Sequence, residues 1–246
     1  MAGHLRLDKY LADACTGTRS EVKRYIQKQR VQVNGEMERD PSRKIDPDLD
    51  QICLDGQRVK VSQLEYYLLH KPAGCVSATR DNSGQKTVMD YVPAARKDLF
   101  PVGRLDKDTE GLLLVTNDGQ LAHALLSPKR HVPKTYYALV RGRMDSEDAE
   151  IFRGGVDFGE KKPALPAKLR ILDVKETEEG WITQAEITIR EGKYHQVKRM
   201  VQAVGKEVIY LRRISMGSLR LEEELKKGQC RPLREDEIKG LLEDVR

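Results

Sequence analysis

Between Gly103 and Gly119 the chain reads GRLDKDTEGLLLVTNDG. Asp106, Asp108 and Glu110 fall within five positions, with Lys107 between the first two and Arg104 two residues ahead of them. One carboxylate of such a set can act as nucleophile or base, three together can chelate a divalent cation, and an acidic turn can simply keep a loop solvated. The next segment bears on the choice. Leu112-Leu113-Leu114-Val115 is a continuous apolar run closed by Asn117-Asp118-Gly119, and four adjacent apolar residues between turn signals predict a strand buried on both faces. A carboxylate tethered to such a strand is held still, as a reactive group must be. No second acidic cluster accompanies the three carboxylates to complete a metal site. There is also no Walker loop, no G-x-G-x-x-G and no His/Cys ligand cluster, so no metal and no cofactor is expected.

Two further segments carry cations. From Pro128 to Arg143 lie Lys129, Arg130, Lys134, Arg141 and Arg143 without an acid, and Tyr136, Tyr137, Leu139 and Val140 sit among them. Basic character with interleaved aromatics suits single-stranded RNA; a tyrosine in the core of a strand is the competing reading for Tyr136. Residues 191–205, EGKYHQVKRMVQAVG, place Tyr194, Val197, Val201 and Val204 on one helical face and end on Gly205, a natural stop. His195, Lys198 and Arg199 stand near the start of that helix, and the window 190–213 carries +5 with His195 neutral. The alternative is an amphipathic helix whose basic face meets only water. No nucleophile accompanies His195, which is read as structural or RNA-contacting.

The positioning elements are legible between these segments. Tyr66–Leu69 is strand-like and runs into a turn at Lys71-Pro72-Ala73-Gly74. Gln120–Leu126 predicts a short helix with Leu121, Ala124 and Leu125 inward, stopped by Pro128. Residues 146–152 predict a capped helix ended by Gly154-Gly155, and Lys161–Pro166 a loop. Leu169 and Ile171, then Ile182, Ala185, Ile187 and Ile189, mark strands of an antiparallel sheet. Residues 233–243 predict a surface helix with Ile238, Leu241 and Leu242 inward.

The N-terminal stretch has a different character. Leu7, Tyr10, Leu11 and Ala14 recur at helical spacing, and Thr16-Gly17-Thr18 breaks that helix. A second helix starts from Thr18 or Ser20 as N-cap. Val22 and Ile26 are its apolar stripe, while Arg19, Lys23, Arg24, Lys28 and Arg30 cover the remainder. Residues 1–35 carry a net +4. Val31 and Val33 lead into Asn34-Gly35, a strong hairpin signal, and Ile52 and Leu54 into Asp55-Gly56. Residues 58–66 are expected to link this module to a larger domain, with the boundary near 62. The 246 residues suffice for both.

Composition narrows the setting. Charged residues are 34%, aromatics 5%, and the net charge is +5. No apolar run approaches the ~20 residues of a membrane span, and MAGHLRLDKYLAD has no signal-peptide core. Cys15, Cys53, Cys75 and Cys230 are scattered, against a zinc site or disulfide framework and for a reducing cytoplasm.

The central stretch resembles the motif around the catalytic aspartate of pseudouridine synthases, in the branch that modifies single sites of ribosomal RNA: GRLD, then GLLLVTNDG. Y-L-L-H-K-P-A-G at 67–74, K-T-Y-Y-A-L at 134–139 and E-G-K-Y-H-Q-V-K-R-M at 191–200 are similar to further motifs of these enzymes. Two short helices, the second basic, followed by V-x-V-N-G resemble the S4-type RNA-binding module, and the two together resemble the RsuA-type branch. The resemblance implies an α+β chain: an S4-type module at 1–61, then a catalytic domain at 62–246 built on a mixed, mainly antiparallel sheet. It implies Asp106 as the catalytic carboxylate, Tyr136 packing against the target base and Lys198 as the cation paired with Asp106. Many relatives carry arginine at that position, so the pairing would be less bidentate here, with Arg199 as a possible substitute. Arg104 would hold an RNA phosphate or fill the space of a flipped base. Lys71, Lys134 and Arg199 join Arg19, Lys23, Arg24, Lys28 and Arg30 as expected RNA contacts. The expected reaction isomerises one uridine of small-subunit rRNA, as naked RNA or in an assembling particle, by a cytoplasmic monomer. The alternatives are the same reaction on large-subunit rRNA, or an rRNA-binding assembly factor without chemistry.

Overall fold

The computed structural model describes residues 5–14, 16–47, 49–59, 64–93 and 98–246. Cys15 and residues 60–63, the middle of the expected linker, lie outside them. The chain divides into two units, Met1–Leu64 and Glu65–Arg246.

The first unit holds β1 (Leu5–Arg6), α1 (Leu7–Asp13), α2 (Arg19–Gln27), β2 (Val31–Val33), β3 (Glu36–Met37), β4 (Lys44–Ile45), β5 (Ile52–Leu54) and β6 (Gln57–Arg58). A full capping box opens α2: the Thr18 hydroxyl accepts from Glu21 N, and the Glu21 carboxylate accepts from Thr18 N at 2.8 Å. This satisfies two amides that a helix start leaves bare. Val22 and Ile26 are buried on one side, which leaves Lys23, Arg24 and Lys28 on the exposed side. The β2–β3 turn is Asn34-Gly35, with φ 54° and 88°, the left-handed pair that a two-residue hairpin requires. Strands run in the order β3-β2-β5-β6, and Leu7, Leu11, Val22, Ile26, Val31, Ile45 and Ile52 form a core of their own.

The second unit holds β7 (Tyr66–Lys71), a 3₁₀ turn at Val88–Tyr91, β8 (Phe100–Pro101), β9 (Glu110–Thr116), α3 (Gly119–Leu126), β10 (Lys134–Arg141), α4 (Ser146–Gly154), β11 (Lys168–Thr177), β12 (Gly180–Ile189), α5 (Gln196–Ala203), β13 (Glu207–Met216), β14 (Leu219–Arg220), β15 (Cys230–Pro232) and α6 (Glu235–Asp244). Seven strands run β11-β12-β10-β13-β9-β7-β15, with β14 on β13 and β8 on β9. The β9–β13 pairing is parallel; the other named pairings are antiparallel. The sheet is therefore mixed and mainly antiparallel.

Strand β9 lies inside this sheet, and all seven of its residues are buried. Successive side chains point to opposite faces. Leu113 and Val115 enter one core with Tyr136, Phe152, Ile187 and Met200. Leu112 and Leu114 enter another with Leu121, Leu125, Met216 and Leu241. Full burial of each such side chain is worth about 2 kcal/mol, so β9 is firmly seated between the two cores and the loop before it has a fixed base.

Details differ from the sequence expectations where local pattern and packing diverge. Ala122 rather than Ala124 is the fully packed alanine of α3. Asp145 caps α4 through the amides of Glu147 and Asp148. Leu242 remains 41% exposed while Leu241 is sealed. Tyr194 stands before α5, not on it, because His195 adopts a left-handed backbone (φ 49°) and the helix starts at Gln196.

Candidate active site

The site starts from the loop between β8 and β9. Its C-terminal anchor is Gly111, at φ 108°, where β13 crosses so closely that a Cβ would lie 2.2 Å from the Arg213 carbonyl oxygen. Only glycine admits that approach in that conformation. Upstream, the Ser77 hydroxyl accepts from Leu105 N at 3.1 Å and donates to Leu105 O at 2.9 Å. The Lys71 ammonium, fully buried, donates to the carbonyls of Pro72 (3.1 Å), Lys107 (3.3 Å) and Thr109 (2.8 Å). Gly74 N also reaches Lys107 O at 2.8 Å, and Thr109 N closes a turn onto Asp106 O at 3.1 Å. The backbone on both sides of Asp106 is thus pinned.

This corrects the reading of Lys71 as an RNA contact. Its side chain is an internal strut, and burial holds its pKa below the usual lysine range. Lys134 is corrected likewise. It is 7% exposed and donates to Val132 O at 3.0 Å; burial and the neighbouring Arg213 charge bring it down to about 8.

Asp106 opens into a cleft that Arg104, Tyr136, His195 and Lys198 also line. The Lys198 ammonium and the His195 Nε2 each stand 3.5 Å from an Asp106 carboxylate oxygen. Tyr136, 8% exposed, reaches the cleft from β10. Arg104 is exposed at its edge. Three of the four residues named for chemistry are contributed by different elements: the β8–β9 loop, β10 and α5.

Lys198 is shared. Its hydrogen bonds go to both oxygens of Asp108, at 2.7 and 2.8 Å. Burial pushes the Asp108 carboxyl up, but the Lys198 bond and charge outweigh it, and the net position is below the usual range. Arg199 is no substitute for Lys198. It points toward the 158–160 segment, donating to Glu160 at 2.5 Å and Phe158 O at 3.0 Å, with its guanidinium over the Phe158 ring. Its neighbours there are a carboxylate, a carbonyl and a ring, which removes it from the expected RNA contacts as well. Glu110 leaves the other two carboxylates and bonds Tyr210 at 2.6 Å and Lys227 at 2.7 Å. The three carboxylates therefore do not converge, and among the described residues no group of His, Cys, Asp and Glu is placed to hold a metal ion.

In the first unit Lys23, Arg24 and Lys28 are exposed. Arg19 stands 3.7 Å from the buried Asp8. Arg30 is committed to Asp55 and lies over the Tyr25 ring. Cys53, Cys75 and Cys230 are free thiols, and no helix among the described residues is long and apolar enough to cross a membrane.

In the sequence His195 reads as structural or RNA-contacting; the structure places it just ahead of α5, 3.5 Å from the Asp106 carboxylate. Ser77 escaped the sequence reading, since its partner is 28 residues away.

Comparison with known proteins bears on what this arrangement is. Residues 65–203 match the model of the RNA pseudouridylate synthase family, and residues 5–50 match the S4 domain. The RNA pseudouridine synthase YtzG of Bacillus subtilis is 44% identical over 97% of this chain and 99% of its own length. The ribosomal small subunit pseudouridine synthase A of Haemophilus influenzae is 37% identical, covering 97% of this chain and all of its own length. The ribosomal large subunit pseudouridine synthase B of Bacillus subtilis is 38% identical, covering 96% and 95%. A crystal structure described as a pseudouridylate synthase superposes with a TM-score of 0.67 at 37% identity, covering 96% of this chain and 99% of that one. With a synthase model spanning more than half its length and full-length relatives above 30% identity, this chain belongs to the RNA pseudouridylate synthase family, with an S4 domain preceding the synthase domain.

Proposed function

We propose that the protein converts one uridine of small-subunit ribosomal RNA to pseudouridine, with Asp106 as the catalytic carboxylate. The observation that carries this reading is the setting of Asp106: a pinned loop, an open cleft, Tyr136 beside it, and Lys198 and His195 each 3.5 Å away.

The reaction breaks the bond between ribose C1′ and uracil N1 and forms one between C1′ and C5. C5 loses a proton and N1 gains one, so no oxidant, metal or cofactor enters the balance. A stacked uridine cannot reach a carboxylate in a cleft, so the nucleotide is everted into it. Asp106 then faces the ribose as nucleophile or base. Lys198 holds positive charge beside it, a role that grows as the base displaces water from the cleft. Tyr136 packs against the uracil, and Arg104 at the edge takes a phosphate or the space the base vacates. Residues 1–61 act as an anchoring domain, with Arg19, Lys23, Arg24 and Lys28 meeting RNA backbone; Arg30 contributes less, being tied to Asp55. The enzyme works as a cytoplasmic monomer, on rRNA that is naked or in an assembling particle.

The small-subunit assignment draws on the named small-subunit relative and on the likeness of residues 191–205 to that enzyme type; the large-subunit relative is equally similar. Mapping pseudouridines across rRNA from cells with and without the protein tests it. One pseudouridine lost from the small-subunit rRNA supports the assignment, and loss from the large-subunit rRNA instead transfers it there. Asp106→Asn should bind rRNA with wild-type affinity and form no pseudouridine. If wild-type protein leaves every rRNA uridine unchanged, the non-catalytic binder reading replaces this one.

A further inference from the structure

Tyr194 is 74% exposed, the most exposed large apolar side chain among the described residues of the second unit. It is not a loose surface residue. Its ring stacks on that of His195, centroids 3.8 Å apart and planes within 18°, and His195 lines the cleft 3.5 Å from Asp106. The stack therefore runs from the carboxylate, through His195, to a ring face exposed to solvent.

The backbone beneath the stack is fixed on both sides. Glu191 accepts from Leu165 N and from Gln196 Nε2, each at 2.9 Å. Lys193 N donates to Gln196 Oε1 at 2.9 Å, and the Lys193 ammonium donates to the carbonyls of Lys162 and Pro163. His195 itself sits at φ 49°, a left-handed conformation that costs a non-glycine residue free energy and persists where the surroundings enforce it. Burying the tyrosine would be the cheaper arrangement for folding alone; here an anchored turn holds an aromatic face outward beside the reactive group. A rigid exposed ring binds another ring with little loss of rotamer freedom.

We propose that the Tyr194–His195 stack is a platform for a base next to the target uridine: when the uridine leaves its strand for the cleft, a neighbouring base closes onto the exposed face of Tyr194. The occupant is RNA because the outer member is an aromatic face, which stacks on any base, and because the inner member, His195, lines the cleft 3.5 Å from Asp106, where the uridine is placed. The inference rests on the assignment of an RNA uridine as the substrate and adds the contact that holds the strand around it.

The test uses the full chain and rRNA transcripts labelled with tritium at uracil C5, which release the label as pseudouridine forms. Tyr194→Ala should raise KM about tenfold, in the range of one base–aromatic stack, while kcat falls less than threefold; Tyr194→Phe should restore KM. An abasic nucleotide beside the converted uridine should raise the wild-type KM similarly and add nothing to Tyr194→Ala. A Tyr194→Ala KM within twofold of wild type on the transcript that wild type converts overturns the inference. So does failure of Tyr194→Phe to restore KM. If wild type converts neither rRNA, the functional proposal falls separately. The platform is then judged by binding of a twelve-residue oligouridine, which Tyr194→Ala should weaken and whose unchanged affinity overturns it.

Discussion

At the scale of single residues, the cations of this chain divide by what surrounds them. Lys71 and Lys198 are both lysines in recognisable motifs, yet one ends in a nest of carbonyls and the other between two carboxylates. Lys71→Met would leave the Thr109 and Pro72 carbonyls without their donor. A buried acceptor stripped of its partner costs about 2 kcal/mol, so the urea midpoint should fall, and pseudouridine formation should fall with it as the Asp106 loop loosens. Retention of both would show that the loop is held without Lys71. Asp108 makes a sharper test of sharing. Asp108→Asn weakens the competitor for Lys198 and leaves Asp106 as its stronger partner. The pseudouridine-forming rate, measured at saturating RNA, should remain within about fivefold of wild type, against the total loss expected for Asp106→Asn. Equal losses in the two variants would place Asp108 in the chemistry.

At the scale of elements, β9 is the component on which the site depends, and Gly111 is its tightest point. Gly111→Ala would drive a methyl group into the Arg213 carbonyl in a backbone region that alanine disfavours. The loss of stability should exceed about 3 kcal/mol, read as a lower urea midpoint or loss of soluble protein. Helix α6 offers a pH-dependent counterpart. The Arg231 guanidinium donates to both oxygens of the 9%-exposed Glu237 carboxylate, at 2.7 and 2.8 Å, and this bond chiefly holds the Glu237 carboxyl below its usual range. A carboxylate lowered on folding stabilises the fold above its unfolded pKa of about 4.3, and that contribution disappears as pH falls through the lower folded value. Glu237→Gln should therefore lower the melting temperature at pH 6 more than at pH 3. A difference that is the same at both pH values would separate α6 docking from this ion pair.

At the scale of the whole molecule, the two units have separate hydrophobic cores. Deleting residues 1–60 should weaken rRNA binding and flatten its salt dependence by about 3 units of log–log slope, if Arg19, Lys23, Arg24 and Lys28 each neutralise one phosphate. An unchanged slope, measured by filter binding across a potassium chloride series, would count against an RNA role for the module. The synthase core of the truncated chain is expected to keep its fold, since its apolar clusters draw on residues from 66 onward.

The sequence by itself determined what is local or compositional. The four-residue apolar run closed by Asn117-Asp118-Gly119 marked β9, whose side chains alternate into two cores. The start of α2 was legible to within Thr18 or Ser20 as its cap, the structure settling on Thr18, and Asn34-Gly35 wrote the β2–β3 hairpin. GRLD followed by GLLLVTNDG placed Asp106 beside that strand. Tertiary structure alone decided where the long cationic side chains ended. Lys71 meets Thr109 across 38 residues, Lys198 meets Asp108 across 90, and Arg213 reaches Leu112 O across 101. The same flexible stem can end in water, against a carbonyl or on a carboxylate, and its own neighbours in sequence hold no record of which. That outcome follows from the parallel meeting of β9 and β13 and from the left-handed turn at His195, which set distant groups within hydrogen-bonding reach.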